Sequence, residues 1–582
     1  PVMYVYYNGY LLGTSVDNMK LWLKQNYKYL LFSLIITIIF AYPFLIKDFL
    51  PLEHDTLFHL SRIEGLAQSF KDGVFLPRIY PYKNMNFGYG SPMFYSDFFL
   101  IIPALLYNLG ISVSVCYVFI IMVFTFLSSY FAMKLCRVVT NNNYAPYIAG
   151  TVYLFSNYRI TDVYVRSSLG EVMGFAFLPL VLLGIYYVLY TDTKKWYYLV
   201  IGFTCLALTH NITFILACIL FIFFLIVRIK HWIHSKEIII AIFKAFIVSV
   251  GCSAFFIFPM LEQMTSQNFY LSYYTSTSSL ADSSVELWKY FANTTVFGYG
   301  THGYAKDMSM LLNPGYFMMI IPIVYLFRKK ENKNPFILHS LILGYIFLLL
   351  PLDIFPWEYM VFFGLIQFTW RLIMLTTCCL IIPASIALFD FKIKPLLITI
   401  VCCVLLIGEG VWHIYPVLTR TTGINYDTSY ASLIDGSIID PFYSAFYVRV
   451  ELAGADYLPE GSPDYRELSN EVTDSLGNSV SSSLTREGTN LLIENIKPNQ
   501  SYILPITYYL GYQVYALDAQ GEIIDKVPTY KANNTLVGFN ANDATTYLCR
   551  YDETPIQKYS LYVSLVTGIT ILFLLIKKKM NR

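Results

Sequence analysis

Between Leu52 and Ile79 the sequence LEHDTLFHLSRIEGLAQSFKDGVFLPRI places a carboxylate, an imidazole and a guanidinium at Asp55, His59 and Arg62. On a helix running from Thr56 to about Ser69, these spacings of four and then three residues bring all three side chains within about 60° of one another. A carboxylate so placed can take a proton from an attacking hydroxyl, and a guanidinium beside it can hold a phosphate. Two readings of Asp55 stay open: it caps the helix by accepting from orphan backbone N–H groups, or it does chemistry, and one residue can do both. Leu57, Leu60, Ile63, Leu66, Ala67 and Phe70 form another broad face. That pattern predicts an amphipathic helix lying on a membrane surface.

Further polar residues stand at the ends of apolar stretches, where charge is expensive and needs a reason. Arg166 and Glu171 open RSSLGEVMGFAFLPLVLLG; Gln367, Trp370 and Arg371 open LIQFTWRLIMLTTCCLIIP; His210 lies in the short LTHNIT turn. Singly, each has a plain structural explanation: an ion pair for Arg166 with Glu171, an interfacial belt for Trp370, a helix-end histidine for His210. Arg371 has no acidic neighbour in sequence, so its expected partner is a lipid phosphate or an acid on another helix. Together with Asp55 and His54 beside it, these residues converge on one membrane face. That set suits transfer of a sugar from a polyprenyl-phosphate lipid, with arginine forks on the phosphate and a carboxylate as base.

The elements that must position these groups are membrane helices. A chain of 582 residues with 56% hydrophobic and only 13% charged residues, and a mean hydropathy of +0.53, is too apolar for a string of soluble domains. The net charge of +2 includes no strongly basic domain, so no nucleic-acid partner is expected; the lipid bilayer is. Nothing resembling a cleavable signal peptide precedes the first span. Twelve apolar spans are read near 28–46, 114–136, 145–157, 172–190, 197–209, 212–228, 238–258, 311–327, 337–351, 371–389, 395–415 and 559–576. The basic runs LCRVV, TDTKKW, RIKHWIHSK, RKKENK, FKIK and KKKMNR alternate consistently as cytoplasmic, leaving both termini inside and 47–113 and 416–558 outside. The stretch 91–110 would reverse that order if it crossed, so a re-entrant or interfacial helix broken by Pro103 is preferred over a thirteenth span.

From 416 to 558 short alternating runs such as YVRVELA, NLLIENI, SYILPITYY, YQVYALD and TLVGFNA predict a β-sandwich-like extracytoplasmic domain, with a loop or disorder over 464–486. Its aromatic runs either stack on sugar faces of an acceptor or fill the sandwich core. The division is therefore 1–415 transmembrane, 416–558 β-rich, and 559–582 an anchor with a basic tail. The ten cysteines read as packing residues, and Cys549 stands alone in the β-rich part, so no disulfide is expected there.

The run HDTLFHLSRIEGLAQSFKDGVFLPRIYP followed by GYGSPMFY, with YRITDVYVRSSLGE, LTHNIT, FIFPMLEQM, IQFTWR, ADYLP and LPITYYLGY, resembles bacterial YfhO-like membrane proteins of the GT-C glycosyltransferase superfamily. The resemblance covers nearly the whole chain in order. It implies a GT-C-like helical domain with Asp55 at the position of the acidic base, Glu171 as a second catalytic acid, and Arg166, Gln367 and Arg371 at the donor pocket. His54, His59, Arg62 and His210 complete the expected substrate-binding set. The paired-acid and metal-binding signature of oligosaccharyltransferases is not evident, since His54 separates Glu53 from Asp55; no cofactor is expected, and a divalent metal has no support. The expected activity is sugar transfer from a polyprenyl-phosphate donor to an outer-face acceptor such as a teichoic acid or a related envelope glycopolymer. The alternatives are a lipid-linked sugar transporter or flippase, and a non-catalytic scaffold that binds envelope polymer. A transporter would need ionisable residues deep within spans, and few are counted between 28 and 415 away from span ends.

Overall fold

The computed structural model describes residues 15–271, 280–291, 310–329, 333–419, 423–434 and 455–580. It is mostly helical, with a β-sheet region near the C-terminus, as a polytopic membrane protein requires. Among the described residues, seven helices are long and apolar enough to cross a bilayer: Lys20–Ile46, Val113–Thr140, Leu169–Thr191, Lys236–Ser266, Thr369–Asp390, Pro395–Leu418 and Pro555–Lys578. All seven coincide with expected spans. The other five expected spans fall on shorter helical stretches, among them Ala145–Leu154, Tyr197–Ala207, Asn211–Val227 and Pro335–Leu349. At about 1.5 Å per residue, none of these five reaches across a hydrocarbon core of about 30 Å alone. Hydropathy registers apolar content and not helix length, which is why the sequence count runs higher. The stretch 91–110 is likewise broken, into Ser91–Phe94 and Phe98–Asn108, with Asn108 tied back by its side-chain amide to the Ala67 carbonyl at 2.8 Å.

Two helices form the centre. Of the apolar windows of Leu169–Thr191 and Thr369–Asp390, 94% and 89% of residues are buried inside the protein, against 6% for the C-terminal helix, which faces outward. Both central helices begin at the same end of the bundle. Their first turns carry Glu171 and Arg371.

The helix over Thr56–Lys71 forms where expected, but not on an open surface. Eleven of its sixteen residues are buried, including His59, Ser61 and Arg62, because the helical bundle covers one side and the loop and β-region cover the other. The amphipathic pattern was read as a lipid-facing stripe; here the polar stripe packs into protein by pairing its own charges.

The β-region is a sandwich of two antiparallel sheets. One has the order β3(Thr473–Asp474), β6(Ser501–Thr507), β10(Leu536–Asn540), β9(Thr529–Ala532); the other β4(Ser483–Glu487), β5(Asn490–Glu494), β11(Thr546–Tyr551), β7(Tyr512–Leu517), β8(Ile523–Val527). A separate two-stranded pairing joins β1(Phe49–Leu50) to β2(Ile424–Asn425). The expected strands at 490–494, 501–507, 512–517 and 536–540 are present, while the YVRVELA run lies outside the described residues. The reading of 464–486 as loop or disorder is corrected: it holds the hairpin strand β3 and most of β4, anchored by Tyr465 and Val472 in the core. Its polar outward positions hid two short strands whose few inward residues suffice. Tyr502, Tyr509 and Tyr512 are buried, so the aromatic run fills the core instead of presenting rings to a sugar. None of the ten cysteines is bridged, and Cys549 packs in β11.

This sandwich shares one apolar core with the segment that follows Thr56–Lys71, drawing in Ile79, Phe87, Tyr89, Met93 and Phe94, and Phe269 beyond the fourth long helix. Gln263 clamps Leu510 in both directions, donating to its carbonyl at 2.6 Å and accepting from its N–H at 3.1 Å. Gly90 is required at the seam because a Cβ there would lie 2.6 Å from Tyr509 Cε1. Tyr509 cannot retreat: its hydroxyl donates to the Tyr457 carbonyl at 3.0 Å and its ring stacks on Phe269. Gly90→Val is therefore expected to cost about 1–3 kcal/mol, the usual range for overpacking. The measurement is limited trypsin digestion of protein in detergent, with faster cleavage in the β-region than in wild type; an unchanged digestion rate would deny the seam this role.

Candidate functional site

At the adjoining N-terminal ends of the two central helices four ionisable residues share one knot. Glu171 Oε1 accepts from Arg371 Nε at 2.7 Å and forms an ion pair with Arg166 Nη1 at 2.9 Å, and its Oε2 accepts from the Tyr158 hydroxyl at 3.0 Å. Arg166 Nη1 also reaches Asp162 Oδ1 at 2.7 Å. Both acids have no exposed side-chain surface. The sequence left Arg371 a choice between lipid phosphate and an acid on another helix; the acid is Glu171. Because both oxygens of Glu171 are already committed to three donors, it acts as a strut between helices and is poorly placed to take a proton. Asp162, not singled out from sequence, is pushed well above the usual carboxylate range by burial, with Glu171 adding to it and Arg166 opposing.

The backbone around the knot is bent to fit. Gln367 has φ +59 and ψ −42, and the Phe368 N–H donates to the Ile366 carbonyl at 2.7 Å, which closes a γ-turn of the rare strained hand. The turn aims two acceptors at Arg371 Nη1, Gln367 Oε1 at 2.7 Å and Ile366 O at 3.0 Å. Trp370 is not an interfacial belt residue: it is 1% exposed and stacks on Phe368 at 4.5 Å.

Asp55 is delivered to this knot by the main chain. Its N–H donates to the Arg166 carbonyl at 3.0 Å, His54 N–H reaches Val165 O at 3.4 Å, and the Thr56 hydroxyl donates to Ser167 Oγ at 3.0 Å. Asp55 is the N-cap residue of its helix by position, yet its carboxylate makes no capping hydrogen bond. Capping therefore does not account for it. Burial raises its carboxyl to about 6, against the pull of Arg166 and then Arg371, with Glu171 and Asp456 adding to the rise. Asp456, at the start of the β-region, is the residue here that sequence reasoning missed; its place in the quoted ADYLP run was the available signal. Burial, with Arg166 adding to it, lowers the His54 imidazole to about 4, so it is neutral at pH 7.

Among the described residues, Arg166 makes all its polar contacts through Nη1, which leaves Nε and Nη2 without partners, and Nη2 of Arg371 has none either. Two guanidinium groups with uncommitted nitrogens thus lie within electrostatic reach of one carboxylate, which pairs phosphate-holding donors with a proton acceptor. Among the described residues no three His, Cys, Asp or Glu side chains group as metal ligands.

His59, Arg62 and His210 lie next to these groups. Arg62 donates to Asp97 from Nε at 2.8 Å and to the Ser96 carbonyl at 2.7 Å, and its plane lies 4.0 Å from the Tyr95 ring centre. Tyr80 donates to the other Asp97 oxygen. This is a saturated structural pair, so the expected phosphate role of Arg62 has no free donor edge to rest on. His59 Nε2 faces the Leu169 N–H at 3.2 Å and its Nδ1 faces Arg62 at 3.2 Å, and burial beside Arg62 keeps it neutral. Its ring meets the start of the Glu171 helix and makes no hydrogen bond with the Asp55 carboxylate; the two residues are joined only by the His59 N–H donating to the Asp55 carbonyl at 3.2 Å. His210 caps its helix, accepting from Thr213 N–H at Nδ1 at 3.3 Å, which puts its proton on Nε2. Gly170 is obligatory between them, since a Cβ there would fall on the Tyr95 hydroxyl and 2.9 Å from His210 Cδ2.

The Arg62–Asp97 pair has a measurable signature. Arg62→Met leaves a buried carboxylate without its cation and is expected to destabilise by about 3–5 kcal/mol, while Arg62→Met with Asp97→Leu recovers most of that loss. Thermal unfolding in detergent checks it; equal loss in the single and double variants would show that the pair is not coupled.

No protein-family model matches the chain. It is similar to an uncharacterized protein of Lactococcus lactis subsp. cremoris (strain MG1363), at 26% identity over 361 residues. That match covers 60% of this chain and 56% of the relative, so the chain spans little more than half of the relative's length.

Proposed function

We propose that this chain is a GT-C-type integral-membrane glycosyltransferase that moves a sugar from a polyprenyl-phosphate donor to an outer-face cell-envelope acceptor, such as a teichoic acid or a related glycopolymer. The observation that carries the reading is the Asp55 carboxylate, held by backbone bonds beside Arg166 and Arg371 while making no capping bond of its own. In the proposed step the acceptor oxygen attacks the anomeric carbon as its proton passes to Asp55. The bond from that carbon to the phosphate oxygen breaks, and the polyprenyl phosphate leaves with its charge on the free guanidinium edges. Glu171 and Gln367 fix Arg371, and Tyr158 and Asp162 fix the knot from the other side.

A lipid-linked sugar transporter is the second reading, favoured by two ionisable residues that the sequence count passed over, Glu409 and His413 inside Pro395–Leu418. Transfer of labelled sugar to acceptor by purified protein separates the two. A transporter moves donor across vesicles and forms no product.

Asp55→Asn retains size and cannot accept the proton, so single-turnover transfer is expected to fall by about 10²–10⁴-fold with donor binding intact. A rate within threefold of wild type would take Asp55 out of the mechanism. The pH profile follows from the raised carboxyl: the base must be ionised, so transfer rises with pH through about 6 and is level above it. Orientation belongs to the same proposal. A cysteine at Lys194 is expected to be protected from an impermeant thiol reagent in intact cells and one at Asp474 to be labelled; labelling at Lys194 would reverse the membrane sidedness.

A further inference from the structure

Next to the knot, on the side of Pro395–Leu418, lies a second group of polar atoms that the chemistry above does not use. Asn157 donates through Nδ2 to Asn313 Oδ1 at 2.8 Å, but its own Oδ1 is buried without a partner. Glu409 Oε1 and both ring nitrogens of His413 are likewise buried and without partners, while the Tyr316 backbone N–H is directed at the Glu409 carboxylate. Such atoms are rare in folded chains, because hydration lost on burial is normally replaced. Two of these atoms converge: a Cβ built on Gly315 would lie 3.8 Å from Asn157 Oδ1 and 3.8 Å from Glu409 Oε1. Gly315 also has φ +96, so glycine both holds this backbone and leaves the space open. His413 follows Glu409 by one helical turn on the same face.

The place of this group relative to the knot is fixed by sequence. Asn157 precedes Tyr158, whose hydroxyl donates to Glu171 at 3.0 Å. Consecutive Cα atoms are about 3.8 Å apart, so Asn157 and the residue that binds Glu171 are direct neighbours on one short helix.

The ligand chemistry follows from the atoms offered. Two oxygens can only accept, and a neutral imidazole supplies one donor and one acceptor. An anion would meet the Glu409 carboxylate. A bare cation would use the oxygens and leave the imidazole proton unanswered. Vicinal hydroxyls, each able to donate and accept, satisfy the whole set. We infer that Asn157, Glu409 and His413 form a subsite for the hydroxyls of the sugar on the lipid donor, with Gly315 as its floor. This rests on the glycosyltransferase reading, which places a sugar phosphate at the knot.

The test measures binding to the full chain in nanodiscs with three lipids: bare polyprenyl phosphate, polyprenyl-phosphate glucose and polyprenyl-phosphate N-acetylglucosamine. Glu409→Gln and His413→Gln are expected to weaken at least one sugar-bearing lipid by about ten- to hundredfold and to leave the bare lipid unchanged. The bare lipid reports on the knot and on correct folding in the same sample. Unchanged affinity for all three in both variants overturns the subsite and leaves those atoms to ordered water. Equal loss for bare and sugar-bearing lipids overturns it as well, by making the residues structural. Wild-type protein that binds the sugar-bearing lipids through Glu409 but ignores the bare lipid would sustain the subsite and remove the phosphate from the knot. Wild-type protein that binds none of the three would overturn both readings.

Discussion

Everything around the candidate site depends on the burial of one carboxylate, Glu171. Moving a carboxylate out of water costs several kcal/mol even after relaxation, and a single close cation at an effective dielectric near 20 returns only about 4 kcal/mol. Its own cation must also be desolvated. One arginine therefore falls short, and Glu171 has two, at 2.9 and 2.7 Å, with a tyrosine hydroxyl at 3.0 Å. The position helps further: Glu171 lies in the first turn of its helix, where exposed N–H groups favour a negative charge. Arg371 begins the other central helix, where the same dipole disfavours it, so the arginine is tolerable only with Glu171 opposite. The two central helices must then start side by side, and that fixes this end of the bundle.

The surplus of that arrangement is what faces the site. Two arginines are needed to bury one acid, yet their guanidinium groups have more donors than Glu171, Asp162, Gln367 and the nearby carbonyl can absorb. The donors left over are the free edges of Arg166 and Arg371, and the carboxylate that meets them is Asp55. Three contacts between 54–56 and 165–167 set it there, two of them through the backbone, so its placement does not depend on its side chain. A residue held by its main chain keeps its side chain available for chemistry. The sandwich closes this space from above: Tyr457 stacks on Phe94 at 5.2 Å and brings Asp456 toward Asp55, so the β-region takes part in setting the charge of the site.

How much of this could be read from the chain alone follows from what each signal measures. Apolar runs located every long helix, because a span needs a continuous hydrophobic stretch, but they could not separate a crossing helix from one of ten or eleven residues packed between neighbours. Alternation located the inner strands β5, β6, β7 and β10 and missed β3 and β4, whose outward faces dominate a short segment. For the site, types and spacing identified Asp55, Arg166, Glu171, Gln367 and Arg371, and the fold brings these together from segments as far as 316 residues apart in sequence, from 55 to 371. Helical periodicity put Arg62 and His59 on the face of Asp55. It could not show that Asp97 and the Leu169 N–H already hold them, since those partners are distant in sequence. Asp162 was invisible for the same reason, Asp456 was signalled only by its place in the quoted ADYLP run, and Glu409 was masked by the apolar residues on either side of it.

The γ-turn at Gln367 shows where the remaining cost is carried. A non-glycine residue in that region costs of order 1–3 kcal/mol, and the surrounding structure must hold it there. What the turn secures is two acceptors on a single guanidinium nitrogen, Gln367 Oε1 and Ile366 O, with Nε given to Glu171. Relaxing the turn would swing Gln367 away and free Nη1 to rotate toward Glu171, which would exchange an outward-facing edge for a second bond to an acid that already has three. The strained backbone thus keeps Arg371 from collapsing wholly onto Glu171. Without it the knot would be a closed ion pair; with it, Nη2 of Arg371 stays uncommitted within electrostatic reach of Asp55.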